Sequence, residues 1–454
     1  MVLKHKDREL LRFSWNRYGD VCDLEIDHRH SQFLPIGIRD RLLDADQRQA
    51  EWTLDEWIRS RTAPLNRRNV RELLKGLGLS PRDAEYHRRL VELCRGLSLN
   101  DVHWIAADDS RETWSSVNLY RNVFSTAVAT MAFSGAGLGV VRGASSSPEY
   151  TTNGTLAKCW RRIGDEVVLY KAGSGEGHVA NNGRDAVGYE PYSEYLASQV
   201  AEAMGLRHVT YDLAQFKGRL CSTCPLFTDE RYGYLPARMV MTREEAIHDS
   251  RFADMFFFDA VIFNTDRHLG NFGFLVDNDT NEIADLAPIF DNGFSLFSQA
   301  ISAPGRKRDE FCDLRRFLAR KSPALTERWL DIPGGVTDEM ISRLEGVNAF
   351  SFSPHGTYNL PHERLDMTLY FVQKRIAEIK EFRAKADEKL RISAKRDRIT
   401  ETPDPPLDLD AKIIEKGRTE SVALEVARAG VGNALTCDGH DGFFLDVLLS
   451  RSAR

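Results

Sequence analysis

The stretch FNTDRHLGNFGF, residues 263–274, places one aspartate, one histidine and two asparagines directly after an apolar run, MFFFDAVI. Polar groups beside a hydrophobic run are costly to bury unless they find hydrogen-bond partners. Two interpretations are open. The side chains either cap a helix and satisfy one another, or they form a site in which a carboxylate takes up a proton and side-chain oxygens hold a cation.

The spacing of these residues favours the second interpretation. Asp266 is followed after four residues by Asn271, as in the catalytic loop of protein kinases, where the aspartate accepts the hydroxyl proton and the asparagine holds Mg²⁺. Downstream, IADLAPIFDNGFSL places Asp291 where kinases have the D-F-G aspartate that binds magnesium. The pattern predicts a helix before Asp266, then a hairpin that begins at Phe272 and Phe274 and delivers Asp291.

Phosphoryl transfer also needs a lysine on the α/β-phosphates and an acid that orients this lysine. EVVLYKAG ends a β-branched strand at Lys171, comparable to V-A-I-K, and the helix pattern PYSEYLASQVAEAMGL carries Glu194. Upstream, TTNGTLAK offers a glycine and several hydroxyls where a phosphate-covering loop belongs. The candidate nucleotide-binding residues in this stretch are Thr152, Asn153, Gly154 and Lys158.

Each part alone has an ordinary interpretation. Lys171 could be a surface lysine that closes a strand, Glu194 a helix charge favourable to the dipole, and Asp-Asn-Gly a turn. Four parts in the right chain order favour phosphotransfer that depends on ATP and magnesium. His268 has two interpretations: it packs and hydrogen-bonds within its loop, or it acts on phosphate directly.

Four segments, NTDRHLGNFGF, LAPIFDNG, SEYLASQVAEAMGL and LYK, resemble the HipA-type serine/threonine kinases of bacterial toxin–antitoxin systems. The resemblance covers roughly residues 150–345. It implies an α+β, bilobal protein-kinase-like fold, with ATP and Mg²⁺ as cofactors. It implies Asp266 as catalytic base, Lys171 on the phosphates, and Asn271 and Asp291 as metal ligands. The adenine would lie near the interlobe connection, which contains Leu226, Phe227 and Thr228 after Pro225.

The resemblance also implies self-phosphorylation in the loop that covers the phosphates, because HipA-type kinases silence themselves in this way. The candidate hydroxyls are those of Thr151 and Thr152, with Ser145, Ser146 and Ser147 as alternatives. The other interpretation is that these hydroxyls only form hydrogen bonds within a turn. A protein hydroxyl is the expected acceptor of the phosphoryl group. An antitoxin or another regulator protein is considered as a partner.

We expect three regions along the chain. Residues 1–145 form a mostly helical region with a short β pair, RFSWNRY and VCDLEID. Residues 146–395 form the kinase-like domain, with a small lobe at about 146–230 and a large lobe at about 231–395 that ends in a long charged helix. Residues 396–454 form a linker, TPDPPLDLD, which cannot continue a helix, and an appendage with one weak helix, TESVALEVARAG.

The first region contains three amphipathic helix patterns, WTLDEWIRSR, RRNVRELLKGLGL and DAEYHRRLVELCRGL. The glycine-containing break GLGLSPRD separates the last two. They could form a helix-turn-helix that binds DNA phosphates through Arg67, Arg68, Arg71 and Lys75. The ordinary alternative places these basic residues on the solvated face of packing helices.

Composition narrows the functional classes. A net charge of −6 and a pI of about 6.1 give no overall attraction to nucleic acid or anionic lipid. The seven cysteines are scattered and predict cytosolic thiols. The pair Cys221 and Cys224 has zinc-ligand spacing but lacks a second pair, so we expect buried cysteines on a strand. A charged start and the absence of a run of about 18 apolar residues predict a cytoplasmic protein without a membrane span.

Two other functional classes remain open. Phosphoinositide kinases also carry D-R-H-x-x-N, and GRKRDEF offers Arg306, Lys307 and Arg308 to an anionic head group. A lipid or small-molecule kinase is therefore one alternative, although no aromatic-rich amphipathic membrane helix is present. The other is a non-enzymatic nucleotide- or DNA-binding regulator that uses the basic N-terminal helices.

Overall fold

The computed structural model describes residues 1–81, 85–136, 147–174, 188–296, 298, 325–330, 332, 335–348 and 350–400. It divides into two compact units, Met1–Arg391 and Ile392–Arg454. The expected linker at 402–410, the expected weak helix at 419–430 and the basic residues 306–308 lie outside the described residues.

The strands, in chain order, are β1 (Val2–His5), β2 (Arg8–Trp15), β3 (Val21–Ile26), β4 (His103–Ala106), β5 (Lys158–Ile163), β6 (Glu166–Ala172), β7 (Asp212–Phe216), β8 (Arg219–Pro225), β9 (Tyr232–Pro236), β10 (Gly273–Asp277) and β11 (Glu282–Leu286).

The α-helices are α1 (Arg39–Leu43), α2 (Gln47–Ser60), α3 (Val70–Gly76), α4 (Tyr86–Cys94), α5 (Trp114–Val117), α6 (Thr126–Ser134), α7 (Glu190–Ala203), α8 (Arg243–His248), α9 (Ala253–Ile262), α10 (Leu325–Leu330), α11 (Asp338–Arg343), α12 (Glu345–Asn348) and α13 (His362–Thr400). Short 3₁₀ turns lie at His28–Phe33, Pro148–Tyr150, Ala237–Met239 and Ser250–Phe252.

The first sheet has the antiparallel order β3-β2-β1-β4. The predicted β pair is β2 with β3, and it is confirmed. The sheet is larger than expected, because β1 pairs on one side with β2 and on the other with β4, almost a hundred residues downstream. Helix α2 covers this sheet and buries Leu54, Trp57 and Ile58 against it.

Helices α3 and α4 are the last two of the three predicted amphipathic helices. Their apolar faces bury Leu73, Leu74 and Leu90 in one cluster. Arg67, just before α3, is buried, and its guanidinium donates to backbone carbonyls within the protein. The interpretation of Arg67 as a DNA-phosphate contact is therefore wrong.

The second sheet has the antiparallel order β5-β6-β8-β7. Its register places Lys158 of β5 opposite Lys171 of β6. Cys221 and Cys224 both lie buried in β8, as the sequence predicted, and burial raises the pKa of each thiol to about 12. Helix α6 packs against β5, and α7 packs against β8.

The third sheet has the order β11-β10-β9 and lies beside α9 and the helices that follow. Phe256, Phe257 and Phe258 of α9 are fully buried in the largest apolar cluster, where Val372 and Ile376 of α13 join them. The predicted helix, loop and hairpin order around residue 266 is thus present as α9, a loop, β10 and β11. No helix among the described residues has the length and apolar character needed to cross a membrane.

Candidate active site

The loop after α9 caps the helix and leaves one carboxylate exposed. Phe263 takes a left-handed conformation (φ 54°) and ends the helix. The buried Asn264 side chain donates from Nδ2 to Asp259 Oδ1 at 2.9 Å and accepts from the Asp266 amide at 3.1 Å. One asparagine thus caps the turn, whereas Asp266 is exposed and no hydrogen bond within the described residues uses its carboxylate.

Asn271 closes the same loop from the other end. Its Nδ2 donates to the Asp266 carbonyl at 3.0 Å, and its Oδ1 accepts from the His268 amide at 3.0 Å. The Gly270 amide donates to Nδ1 of the exposed His268 ring at 3.0 Å. The structure therefore shows His268 hydrogen-bonded within its loop, as in the first of its two interpretations.

Arg267 is the residue of this loop that the sequence interpretation missed. Its guanidinium is fully buried and forms a two-point ion pair with Asp259, at 2.7 Å and 2.9 Å. It also donates to the carbonyl of Phe290 at 2.7 Å and to Oδ1 of Asn292 at 2.7 Å. Arg267 therefore fastens the loop of Asp266 to the segment that carries Asp291. The lone acid in the apolar run MFFFDAVI is the signal that could have revealed this pair.

Three of the predicted site residues, Lys171, Glu194 and Asp291, lie in contact with one another. Lys171 Nζ donates to Glu194 Oε1 at 2.8 Å and to Asp291 Oδ1. The other oxygen of Glu194 accepts from the Asn292 amide at 2.7 Å. Asp291 has a left-handed conformation (φ 57°), which aspartate tolerates better than most residues. Residues from β6, α7 and the segment after β11 thus share one cluster, in which Glu194 is fully buried and Asp291 is half-buried.

The charges of this cluster are strongly coupled. Burial alone would lower the pKa of Lys171, but the carboxylates of Asp291 and Glu194 outweigh burial and raise it above its ordinary value. Burial alone would raise the pKa of Asp291, but Lys171 and Lys158 hold it well below the usual range. At neutral pH Lys171 is charged and Asp291 is ionised.

Charges of the same cluster also affect the pKa of Asp266. Desolvation raises its pKa, His268 opposes the shift, and the negative charge of Asp291 adds to it. Carboxylate and amide oxygens are the ligands that a hard divalent cation prefers, and Asn271 Oδ1, which accepts from the His268 amide, keeps a second lone pair. Among the described residues no three His, Cys, Asp or Glu side chains converge on a metal position. Magnesium typically takes one or two carboxylates and completes its shell with phosphates and water.

The candidate phosphate loop lies next to this cluster. Lys158 is buried, and its Nζ donates to the Asn153 carbonyl at 2.9 Å. Burial and the neighbouring charge of Lys171 lower the pKa of Lys158 to about 7. Gly154 has a positive φ of 95°, and a Cβ there would lie 2.3 Å from Lys158 Nζ. Only glycine therefore fits this position while the lysine stays in place.

Several backbone amides of this loop have no hydrogen-bond partner among the described residues. The amides of Asn153, Gly154, Thr155 and Leu156 donate no hydrogen bond to any described residue. Successive unpaired amides form a concave site suited to an anion. The Thr152 hydroxyl is engaged, because it donates to the Pro148 carbonyl at 2.6 Å and accepts from Trp160 Nε1 at 3.0 Å.

The three residues expected near the adenine have different surroundings. Phe227 packs against Phe290, next to Asp291, with ring centroids 5.2 Å apart. Leu226 packs instead on an apolar cluster built mainly from residues 97–124. The Thr228 hydroxyl donates to the Leu99 carbonyl at 2.5 Å. Phe227 therefore borders the charged cluster, whereas any contact of Thr228 with a nucleotide would have to come from its backbone.

Comparison with known proteins finds a relative in sequence. No family model matches the chain. Over 135 residues the chain is 30% identical to the serine/threonine-protein kinase CtkA of Helicobacter pylori. This stretch of the chain is homologous to CtkA. The resemblance to serine/threonine kinases that the sequence indicated is thereby confirmed over this stretch. The match covers 24% of this chain and 41% of CtkA, so the chain spans about two fifths of that relative.

Two solved structures are also similar. The crystal structure of Helicobacter pylori CtkA, a proinflammatory kinase, aligns with a TM-score of 0.37 and 17% identity, over 51% of this chain and 94% of CtkA. HipA from Shewanella oneidensis, in complex with HipB and operator DNA, aligns with a TM-score of 0.40 and 11% identity, over 85% of this chain and 98% of the other.

Proposed function

We propose that the chain is an ATP- and Mg²⁺-dependent phosphotransferase, and specifically a HipA-like serine/threonine protein kinase. The observation that carries the proposal is the position of Lys171, whose ammonium is bonded to Glu194 and Asp291 at once. Kinases need this lysine–acid pair beside a metal-binding aspartate. The homology to CtkA supports the same reaction class.

In this proposal each residue has a definite task. Asp291 and Asn271 hold Mg²⁺ through their side-chain oxygens, and Lys171 binds the α/β-phosphates while Glu194 keeps it oriented. Asp266, with its exposed carboxylate, accepts the proton of the acceptor hydroxyl. Mg²⁺ and ATP supply the charge neutralisation and the γ-phosphoryl group when bound. The open amides of the loop at 153–156 bind phosphate oxygens.

The proposal includes a bilobal arrangement. The small lobe, at about 146–230, would contain the sheet β5–β8 and α7, and the large lobe, at about 231–395, would contain α9, the loop of Asp266 and the hairpin β10–β11. Its support is that Lys171 and Glu194 come from the first range whereas Asp291 comes from the second. Such a cluster between two lobes is where kinases bind the nucleotide.

Purified protein incubated with labelled ATP tests the reaction. We expect label on serine or threonine hydroxyls of a casein-like protein, with Mg²⁺ present and not with EDTA. Label on a phosphoinositide alone would favour the lipid-kinase alternative. Nucleotide binding without transfer to any acceptor would favour a regulator. The predicted antitoxin or regulator partner is tested separately, by co-purification with the tagged protein.

The proposal extends to self-phosphorylation at Thr151 or Thr152. Both hydroxyls are engaged within the protein, since Thr151 Oγ1 donates to the Leu97 carbonyl at 2.7 Å and Thr152 Oγ1 donates to Pro148. A phosphate there would add almost two negative charges, compete for Lys171 and expel the loop. Of the alternative sites, Ser145 and Ser146 lie outside the described residues, and Ser147 is buried. Mass spectrometry of wild type and Asp266→Asn after incubation with ATP decides this point: phosphate should appear in the loop of the wild type only.

A further inference from the structure

A buried arginine from the N-terminal region holds both ends of the candidate phosphate loop. Arg67 donates from Nη1 to the Glu149 carbonyl at 2.8 Å and to the Thr152 carbonyl at 3.2 Å. Its Nη2 donates to the Lys158 carbonyl at 2.7 Å. Glu149 precedes the loop, Thr152 begins it and Lys158 ends it. A single guanidinium is therefore hydrogen-bonded to both ends of the loop.

Neighbouring backbone groups reinforce this attachment. The Ala63 amide donates to the Tyr150 carbonyl at 2.7 Å, and the Arg68 amide donates to the Thr155 carbonyl at 2.9 Å. The segment around residues 63–68 therefore lies along the whole loop, although it belongs to the region predicted to precede the kinase-like domain.

The orientation of these carbonyls sets the orientation of the loop amides. In a trans peptide the C=O of one residue and the N–H of the next point in opposite directions. Because the carbonyls of Thr152 and Thr155 face the segment 63–68, the amides of Asn153 and Leu156 face away from it. These are two of the four amides without a described partner.

The guanidinium is a costly group to place here, which indicates that its role is specific. It is buried, and burial lowers the pKa of Arg67 to about 10, while the nearby carboxylate of Glu149 opposes the shift. Arg67 therefore stays charged at neutral pH. A planar group with several donors can satisfy three carbonyls at once, which a lysine ammonium does with poorer geometry.

We propose that Arg67 is a positioning residue of the nucleotide site, which preorganises the loop at 152–158 so that its amides bind the phosphates of ATP. This inference rests on the proposed function, since it presupposes that the loop binds phosphates. It assigns a role to the N-terminal region, whose segment 63–68 supports the loop on the side that the carbonyls of Thr152 and Thr155 face. The gain in affinity comes from ordering the loop before the nucleotide arrives.

The test compares a ligand that has phosphates with one that lacks them. Dissociation constants of ATP–Mg²⁺ and of adenosine are measured for wild type, Arg67→Met, Arg67→Lys and the control Arg71→Met, an exposed arginine of α3. We expect Arg67→Met to weaken ATP binding by about tenfold or more and to leave adenosine binding unchanged, because several hydrogen bonds to a charged donor are lost. Arg67→Lys should recover part of the loss, and Arg71→Met should match wild type.

A folded Arg67→Met protein with the wild-type ratio of the two constants would overturn the inference. A wild type that shows no preference for ATP over adenosine would instead contradict the proposed function. Hydrogen exchange on the wild type gives a readout without any variant. If Arg67 stabilises the ATP-binding loop, ATP must in turn stabilise the segment 63–68, since coupling is reciprocal. Amides of that segment should exchange more slowly with ATP than with adenosine, and equal exchange would also overturn the inference.

Discussion

Lys158 and Lys171 face each other across neighbouring strands, and their mutual repulsion is relieved unequally. Lys171 has two carboxylates, whereas among the described residues Lys158 donates only to a carbonyl, and its pKa is about 7. A phosphate group next to Lys158 favours its charged form. We therefore expect ATP to bind with uptake of a proton near pH 7.5, and its affinity to fall as the pH rises above 7.

Calorimetry in two buffers with different ionisation enthalpies measures this proton uptake. Lys158→Gln should abolish it and weaken ATP binding, whereas Lys75→Gln, an exposed lysine of α3, should behave as wild type. Proton uptake that persists unchanged in Lys158→Gln would show that another group titrates.

Asp291 provides a second prediction for a single residue. As a metal ligand it should make the thermal stabilisation by ATP depend on Mg²⁺ in the wild type. Asp291→Asn removes the charge but keeps a residue that tolerates the left-handed backbone at this position. We expect this variant to lose most of the Mg²⁺-dependent rise in melting temperature. Equal stabilisation of both proteins with EDTA present would contradict the assignment.

At the scale of elements, the Asp259–Arg267 pair connects α9 to the loop that follows it. Both side chains are fully buried, so Asp259→Asn leaves a buried charge without its counter-ion. We expect a loss of about 3–5 kcal/mol in the free energy of unfolding, because breaking a buried pair is strongly destabilising.

The matched control is Asp285→Asn, which breaks the exposed pair with Arg207. Surface pairs contribute about 0–1 kcal/mol, so this variant should unfold almost as wild type does. Urea denaturation of both variants makes the comparison. Similar losses at the two sites would show that the buried pair does not hold the loop in place.

The elements around the site could be predicted because each has a strong local pattern. The apolar run before Asp266, the β-branched strand that carries Lys171 and the helix that carries Glu194 all have the predicted form. Strands β1 and β4 could not be predicted, because they are only four residues long and pair across almost a hundred residues.

Buried charged residues are also difficult to predict from the sequence, because their partners are not apparent from the local pattern. Arg67 lies in RRNVR, a basic stretch that is typical of a solvated surface, and its partners are 82–91 residues downstream. Arg267 is adjacent to a predicted catalytic residue, but its partner acid is hidden within an apolar run. Sequence spacing indicated the candidate catalytic groups, whereas the buried arginines next to them are recognised only from contacts in the folded chain.

At the scale of the whole molecule, the chain divides into two compact units, and the boundary between them follows residue 391. Helix α13 contributes Phe371, Val372, Ile376 and Ile379 to the core of the first unit, all well before Ile392. We therefore expect a chain that ends at residue 400 to fold and to retain nucleotide binding and phosphotransfer.

A shorter chain that ends at residue 361 is the control, because it removes all of α13 and exposes the apolar surface that this helix covers. It should lose soluble expression. Loss of activity in the chain ending at residue 400, with its fold intact by circular dichroism, would show that the region after residue 400 contributes to the site.

The most direct test of the whole account is the rate of phosphate transfer by Asp266→Asn. This substitution keeps the size of the side chain and removes the carboxylate that would accept the hydroxyl proton. We expect the rate of γ-phosphoryl transfer from ATP–Mg²⁺ to fall by about 10²- to 10⁴-fold. The melting temperature should be unchanged, and Asp279→Asn, an exposed aspartate of the hairpin β10–β11, should transfer at the wild-type rate. An Asp266→Asn protein that retains more than about half of the wild-type rate would contradict the assignment of a general base.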